Sequence, residues 1–398
     1  MGSLSSLVVK SAIAILALAL AYAPLADRAR VLSLLVQNAP DKLTEVKNLG
    51  DYTIKFSDRL RNCEDALLVE EDRVAILSCD PGRDFWNTVM GTFAPDLSIV
   101  PTGELVLYRY DSAKYSDTDA LVSIELRDFE GIQGFHPLGI EYHRPSSSLF
   151  VCNHHYEGSR VEVFTLDLDT PKPVARHQRT IISPLIKAPN AIAALNEHEL
   201  YITNDHYFLQ KNNAFLSHLE TYAQLPLGSV AYVNLAIEGH PAEVRSVARS
   251  PFTNGVALLN GSALAVSSSS TTKVYLYDIL PDRSLLKTGD ITLPFMPDNV
   301  SVDKKGSLLI TGHPHPPTLD KLRKDRFECL MDSSRQNEDC YEGTTPSGMA
   351  AWSADDGLKI LHLTKGGFST SCTAVRDTEY NFGFMTGLYE KGILVWKA

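Results

Sequence analysis

The stretch Asp298-Asn-Val-Ser-Val-Asp-Lys-Lys-Gly-Ser-Leu-Leu-Ile-Thr-Gly312 decides how the chain is read. It opens on two oxygen-bearing side chains, runs as an alternating apolar strand, turns, and returns through a second apolar strand. Asp and Asn favour turns through side-chain to backbone hydrogen bonds, but here they open a strand instead of sitting at a hairpin tip. The same order of parts recurs from Gly139 to Asn153, from Asn190 to Asn204 and from Asn254 to Ser267, with looser copies opening at Glu64 and Cys372. A third alternating strand follows several copies, as in Val161-Glu-Val-Phe164 and Val274-Tyr-Leu-Tyr277. Many short strands without helical periodicity between them indicate an all-β protein.

Six such units over about 335 residues have the length of propeller blades. The innermost strands of a propeller line one channel, so the polar residues that open them would meet at its mouth. The fold expected is an all-β six-bladed β-propeller over residues 31–398. A β-sandwich with unrelated polar turns is the alternative.

With 44% apolar and 21% charged residues, the composition is that of a globular protein with ample core. A net charge of −11 argues against nucleic acid, which needs basic patches. At the N-terminus, Lys10 precedes an apolar run from Ala12 to Ala26 broken by Tyr22 and Pro24. Its length suits a signal-peptide core better than a full membrane span. Ala21-Tyr22-Ala23 is a cleavage signal, but Pro24 hinders it. Residues 1–30 therefore read as a signal peptide or an uncleaved signal anchor, with a buried helix as the alternative, and the chain is expected in the secretory pathway. A helix is predicted from Ala26 to Leu43, with Val31, Leu32, Leu34 and Leu35 on its apolar face and Pro40 ending it. Of six cysteines, Cys329 and Cys340 bracket a polar segment and are the expected disulfide; the other four lie in or beside apolar runs.

Serine-hydrolase elbows, zinc-protease helices, P-loops and EF-hand loops are missing from the sequence. The strand openings hold Glu64, Asp65, Asn190, Asn254, Asp298 and Asn299. All offer oxygen and none sulfur, the donor set calcium prefers. Histidines form a second constellation: His136, His143, His154 and His155, then His206 after Asn204-Asp205, and His313 and His315 around Pro314. A histidine pair on adjacent strands suits general-base work; His143, His155 and His315 read as loop or edge residues.

Tyr201-Ile-Thr-Asn-Asp-His-Tyr-Phe208, Phe135-His-Pro-Leu-Gly-Ile140, Cys152-Asn-His154, Asn254-Gly255, Asp298-Asn-Val-Ser-Val-Asp303 and Gly312-His-Pro314 resemble the serum paraoxonase/arylesterase family. These are six-bladed propellers that hydrolyse lactones and esters with calcium. The similarity runs from about Asn62 onward, with 318–342 as a loop insertion. By resemblance, a catalytic calcium is held by Glu64, Asn190, Asn254, Asp298 and Asn299. His154 then matches one member of the family's histidine dyad, while His313, Asp205 and His206 lie near the pocket.

Three departures are visible. The other dyad position is Leu138, which cannot accept a proton, and His136 two residues earlier is the expected partial substitute. A second, structural calcium would use Asp65, the backbone of Ile140 and a carboxylate where this chain has Ala191, so that ion should bind more weakly. The family's terminal disulfide has no counterpart, which leaves ring closure open, with Cys63 to Cys372 as one pairing. Asn299-Val-Ser and Asn260-Gly-Ser are sequons; a metal ligand cannot carry a glycan, so Asn260 is the expected acceptor. The function implied is calcium-dependent hydrolysis of small lactones and aryl esters by a secreted or membrane-anchored protein on the luminal or extracellular side, with lipid contact through the N-terminal segment. The alternative is a calcium-stabilised propeller that binds a ligand or partner with little or no catalysis.

Overall fold

Six sheets of four or five strands succeed one another along the chain, and their first strands pack against each other in a closed ring. These first strands are Cys63–Val69, Pro137–His143, Pro189–Ala194, Thr253–Asn260, Met296–Val302 and Ser371–Asp377, in blades one to six. The computed structural model describes residues 25–397 apart from 169, 236–240, 336–338 and 342. The expected signal segment thus lies, through residue 24, outside the described residues. The architecture is the expected six-bladed β-propeller.

Local chemistry explains the hairpins. In the stretch quoted above, Met296–Val302 pairs antiparallel with Leu308–His313. Asp303 Oδ1 accepts from the N–H groups of Lys305 and Ser307 at 3.0 and 2.9 Å, and Gly306 takes φ of 77°, which glycine adopts without steric cost. Apolar faces of neighbouring blades then interlock. Between blades one and two, Ile76, Leu105 and Leu107 pack with Phe135, Leu149, Val151 and Phe164, each contributing about 1.5–3 kcal/mol by burial.

Ring closure, which the sequence left open, is made by hydrogen bonds between strands. Tyr52–Lys55 pairs antiparallel with Ile393–Trp396 as the outer strand of blade six. Cys63 is bonded to Cys79 within blade one, so it does not reach Cys372; Cys152 and Cys372 are free and buried. Cys329 and Cys340 are bonded as expected.

Among the described residues three α-helices decorate the ring. The first, α1, covers residues 25–37, shorter than expected because Asn38 turns inward and donates to the carbonyls of Pro294 and Pro314 at 2.7 and 3.1 Å. Its Arg30 donates to Thr271 O and Thr272 Oγ1 at 2.7 and 2.8 Å. A boundary at residue 30 therefore cuts a continuous helix docked on blade four. Val31 is buried, but Leu32 faces solvent. The second, α2 (Ala214–Tyr222), is capped by Asn213 Oδ1 accepting from Leu216 N–H at 3.0 Å. The expected loop at 318–342 is instead mostly helix: α3 spans Pro316–Met331 between the second and third strands of blade five. Its Leu319 and Leu322 pack on Cys372, Leu388 and Tyr389. Few apolar residues mark that inner face, and buried Arg326 hides it further by donating to Tyr389 O.

Candidate active site

Each first strand slips register near its start: between Cys63 and Asp65, Pro137 and Ile140, Pro189 and Ile192, Thr253 and Val256, Pro297 and Val300, and Ser371 and Ala374. Bulges of this kind re-aim side chains. The slipped residues are Glu64, Leu138-Gly139, Asn190-Ala191, Asn254-Gly255, Asp298-Asn299 and Cys372-Thr373. Blades approach closely here: a Cβ on Gly139 would lie 2.2 Å from Asn190 O, and one on Gly255 2.6 Å from Asn299 Cα.

Glu64, Asn190, Asn254 and Asp298 floor a cavity of about 120 Å³, walled by Val89, Met90, Leu138, Phe252, Leu319 and Leu388. Asn299 Nδ2 donates to Glu64 Oε1 at 2.8 Å and to Thr373 Oγ1 at 3.0 Å. Asn254 Nδ2 donates to Ser269 Oγ at 3.0 Å. Each amide is thus held with its oxygen turned away from its donors. Glu64 Oε2, Asn190 Oδ1, Asn254 Oδ1 and Asn299 Oδ1 are all buried and without a hydrogen-bond partner. Leaving one buried acceptor unmet costs about 1–3 kcal/mol, so three in one cavity lining, with a fourth on Asn299 whose amide is bonded to Glu64, call for a ligand that meets them together. Burial, followed by the charges of Asp65 and Asp298, pushes the Glu64 carboxyl well above the usual range. These five residues fit a calcium ion, being all oxygen and partly carboxylate.

The residues for a second ion do not fit. Asp65 Oδ2 already accepts from Ile140 N–H at 2.8 Å. Its Oδ1 accepts from Ala66 N–H and the Thr373 hydroxyl at 2.8 and 2.9 Å. Ala191 contributes no oxygen from its side chain. Burial, partly offset by these bonds, pushes the Asp65 carboxyl up to about 6.

The histidines divide differently from the expectation. His154 stands behind the ring: its Nε2 bonds Pro189 O at 2.7 Å and its Nδ1 bonds the Thr88 hydroxyl, and burial lowers its basicity. Both nitrogens are engaged, so it positions the Asn190 strand. His136 has Nδ1 at 3.1 Å from Asp80 Oδ2 and a buried Nε2 without a partner, but it is packed against Tyr156 and Trp86 and is not on the cavity wall. His206 is on the wall, bonded to Asp205 at 2.8 Å and to Thr221 at 2.6 Å. His313 is also on the wall; its Nε2 lies 3.0 Å from Asp298 Oδ2 and its Nδ1 is buried and unpartnered. His143, His155 and His315 are partly exposed and bonded to Ser146, Arg160 and Thr318.

Sequence reasoning missed three features. Arg83, on the cavity wall, is buried, donates to Pro137 O at 2.9 Å and has an unpartnered Nε. Cys372 occupies the bulge position of blade six. Hydroxyls of second strands brace the bulge carbonyls of the next blade: Ser78 to Leu138 O at 2.6 Å, Ser267 to Asp298 O, Thr311 to Cys372 O, and Thr386 to Glu64 O at 3.1 Å. In the third blade, Thr203 bonds Ala191 within its own sheet. A sequence signal existed. A hydroxyl or thiol stands thirteen or fourteen residues after each bulge residue: 64 and 78, 138 and 152, 190 and 203, 254 and 267, 298 and 311, 372 and 386.

The family described as Arylesterase matches residues 92–325. Serum paraoxonase/arylesterase 2 of Canis lupus familiaris is 28% identical over 226 residues, 52% of this chain and 61% of that protein. Serum paraoxonase/arylesterase 1 of Mus musculus is 28% identical over 257 residues, 58% of this chain and 69% of that one. Among solved structures, a gluconolactonase of Xanthomonas campestris superposes with a TM-score of 0.50 at 14% identity, covering 89% of this chain and 93% of the other. That likeness concerns the fold.

Proposed function

We propose that this chain, which belongs to the arylesterase family, hydrolyses lactones and aryl esters in the cavity above the oxygen ring, with one calcium ion held by Glu64, Asn190, Asn254, Asp298 and Asn299. The observation carrying this reading is the set of buried, unpartnered oxygens on Glu64, Asn190 and Asn254 in the cavity lining, with that of Asn299, whose amide is bonded to Glu64. Calcium bound there supplies Lewis-acid polarisation of a carbonyl and counter-charge for the developing oxyanion.

The chain's own residues supply the rest. Val89, Met90, Leu138 and Phe252 hold the apolar part of the substrate and exclude water from the floor. His313, with Nε2 bonded to Asp298 and Nδ1 free, takes the proton of the attacking water. His154 holds the Pro189 carbonyl, and through it the backbone that aims Asn190. Leu138 on the wall favours a second reading, a metal-stabilised propeller that binds such molecules without turnover. Hydrolysis of a lactone panel and of phenyl acetate, with and without a chelator, separates the two; no calcium-dependent turnover of any substrate leaves only the second.

The bonded cysteine pairs support an oxidising compartment, with the propeller secreted or held on the luminal side of a membrane. Among the described residues no helix is long and apolar enough to cross a membrane. Leu25, Leu32 and Val36 of α1 are exposed, which supports contact with a lipid surface. Asn260, exposed in the first hairpin turn of blade four, is the glycan acceptor in this reading.

A further inference from the structure

The ring has one slipped position per blade: five present Glu64, Leu138, Asn190, Asn254 and Asp298-Asn299, and the sixth presents Cys372. Calcium has no use for sulfur or for imidazole nitrogen. Yet the Cys372 Sγ, a ring nitrogen of His313 and a carboxylate oxygen of Asp298 all lie within 4.8 Å of one another. His313 Nδ1 is buried without a partner, and Asp298 and His313 face the cavity through which an ion would enter. One sulfur, one nitrogen and one carboxylate oxygen, with a fourth direction toward a cavity, is the donor set of an open zinc site. Apolar packing alone does not require the thiol: Cys372 touches Leu319, Leu322, Leu388 and Tyr389, contacts that a valine side chain would also make, and its Sγ donates a long hydrogen bond to Thr370 O at 3.4 Å.

We propose that Asp298, His313 and Cys372 form a second metal site, for a thiophilic divalent cation such as Zn²⁺, and that this ion excludes calcium because Asp298 serves both. The donors split by hardness. Glu64, Asn190, Asn254 and Asn299 serve only the hard ion, Cys372 and His313 only the soft one. On binding, the metal–sulfur bond forms as the Cys372 S–H bond breaks and its proton passes to solvent, while neutral His313 coordinates through nitrogen. Zinc binding stands on this geometry alone; the exclusion of calcium rests on the calcium reading above.

The test is a titration of calcium-depleted full-length protein with Co²⁺, followed by the thiolate-to-cobalt charge-transfer absorption in the near ultraviolet. One equivalent should raise the band and Zn²⁺ should bleach it. Cys372→Ser and Cys372→Val, the latter preserving the apolar packing, should lose the band, and Cys152→Ala should keep it. No band in the native protein, or a band surviving in a folded Cys372 variant, overturns the site. Calcium should also bleach the band; a band that persists in saturating calcium overturns the exclusion. Hydrolysis is assayed separately on calcium-loaded protein without zinc or cobalt, so failure of the hydrolase reading is seen independently of the cobalt spectrum.

Discussion

In the lining of the candidate active-site cavity Glu64, Asn190 and Asn254 each hold a buried oxygen without a partner, as does Asn299 bonded to Glu64, whereas one residue farther along blade one Asp65 has both oxygens engaged. Glu64 and Asp65 are neighbours in one slipped strand. What separates them is what faces them. Glu64 meets a single side-chain donor, the Asn299 amide at Oε1, and none at Oε2, while Asp65 lines a cavity of about 260 Å³ with Ile140, Ala191 and Thr373, where backbone N–H and hydroxyl donors reach both its oxygens. Neighbouring carboxylates of one propeller axis are therefore left open or closed according to the donors that reach them. Carboxylate content alone does not decide it.

The largest expected effect tests the mouth. Asp298→Ala and Asn254→Ala should each lower kcat/KM for the best lactone by at least about 10³-fold, in line with loss of metal-based charge stabilisation. Each should also abolish the rise in melting temperature on adding calcium, worth about 4 kcal/mol when the ion exceeds its Kd a thousandfold. Wild-type activity and melting in both variants would remove the metal site. His313→Gln should cost about 10²–10⁴-fold in kcat with calcium affinity kept near that of the native protein, the span expected for a general base. A drop confined to KM would instead make His313 a binding residue.

The tunnel end gives smaller effects. Calcium stoichiometry by elemental analysis should be one per chain, and Ala191→Asp, which adds a carboxylate beside Asp65 and Ile140, should raise it to two. A stoichiometry of two in the native chain would erase the contrast between the ends. Glu141, also on the tunnel wall, is pushed up to about 8 by burial. Its folded value exceeds its unfolded one, so the folded state binds the proton more tightly and stability falls as pH rises from about 4.5 toward 8. Glu141→Gln should remove that slope, gaining on the order of 1–3 kcal/mol over the native protein at pH 8 and little at pH 4.5. Chemical denaturation at the two pH values would read it. The smallest change is expected for His136→Gln, which lies off the cavity wall and should alter kcat less than about tenfold.

Much of the ring was legible in the chain. The repeat beginning at Asp298 placed six oxygen donors at equivalent strand starts, because period-2 alternation and turn residues are local properties. The helix at 316–331 was not legible, since only one of its faces meets apolar partners and that face includes Arg326. Which histidine borders the cavity was not legible for a related reason. His136 and His313 look alike in sequence, and only the docking of Tyr156 and Trp86 over the one and the cavity beside the other distinguishes them. Cys372 was passed over although its spacing to Thr386 follows that of the other blades.

The recurring polar openings to strands, of which Asp298-Asn299 is one, were enough to determine an all-β repeat and the hard-oxygen character of its donors. Spacing and side-chain type carry those, and both are written along the chain. Tertiary structure alone decided which atoms remain without partners. It left Asn299 Oδ1 and Glu64 Oε2 open while closing both oxygens of Asp65, and it brought Cys372 of blade six beside Asp298 of blade five. The register slips that aim these groups arise where neighbouring blades press together, a contact that no single stretch of sequence contains.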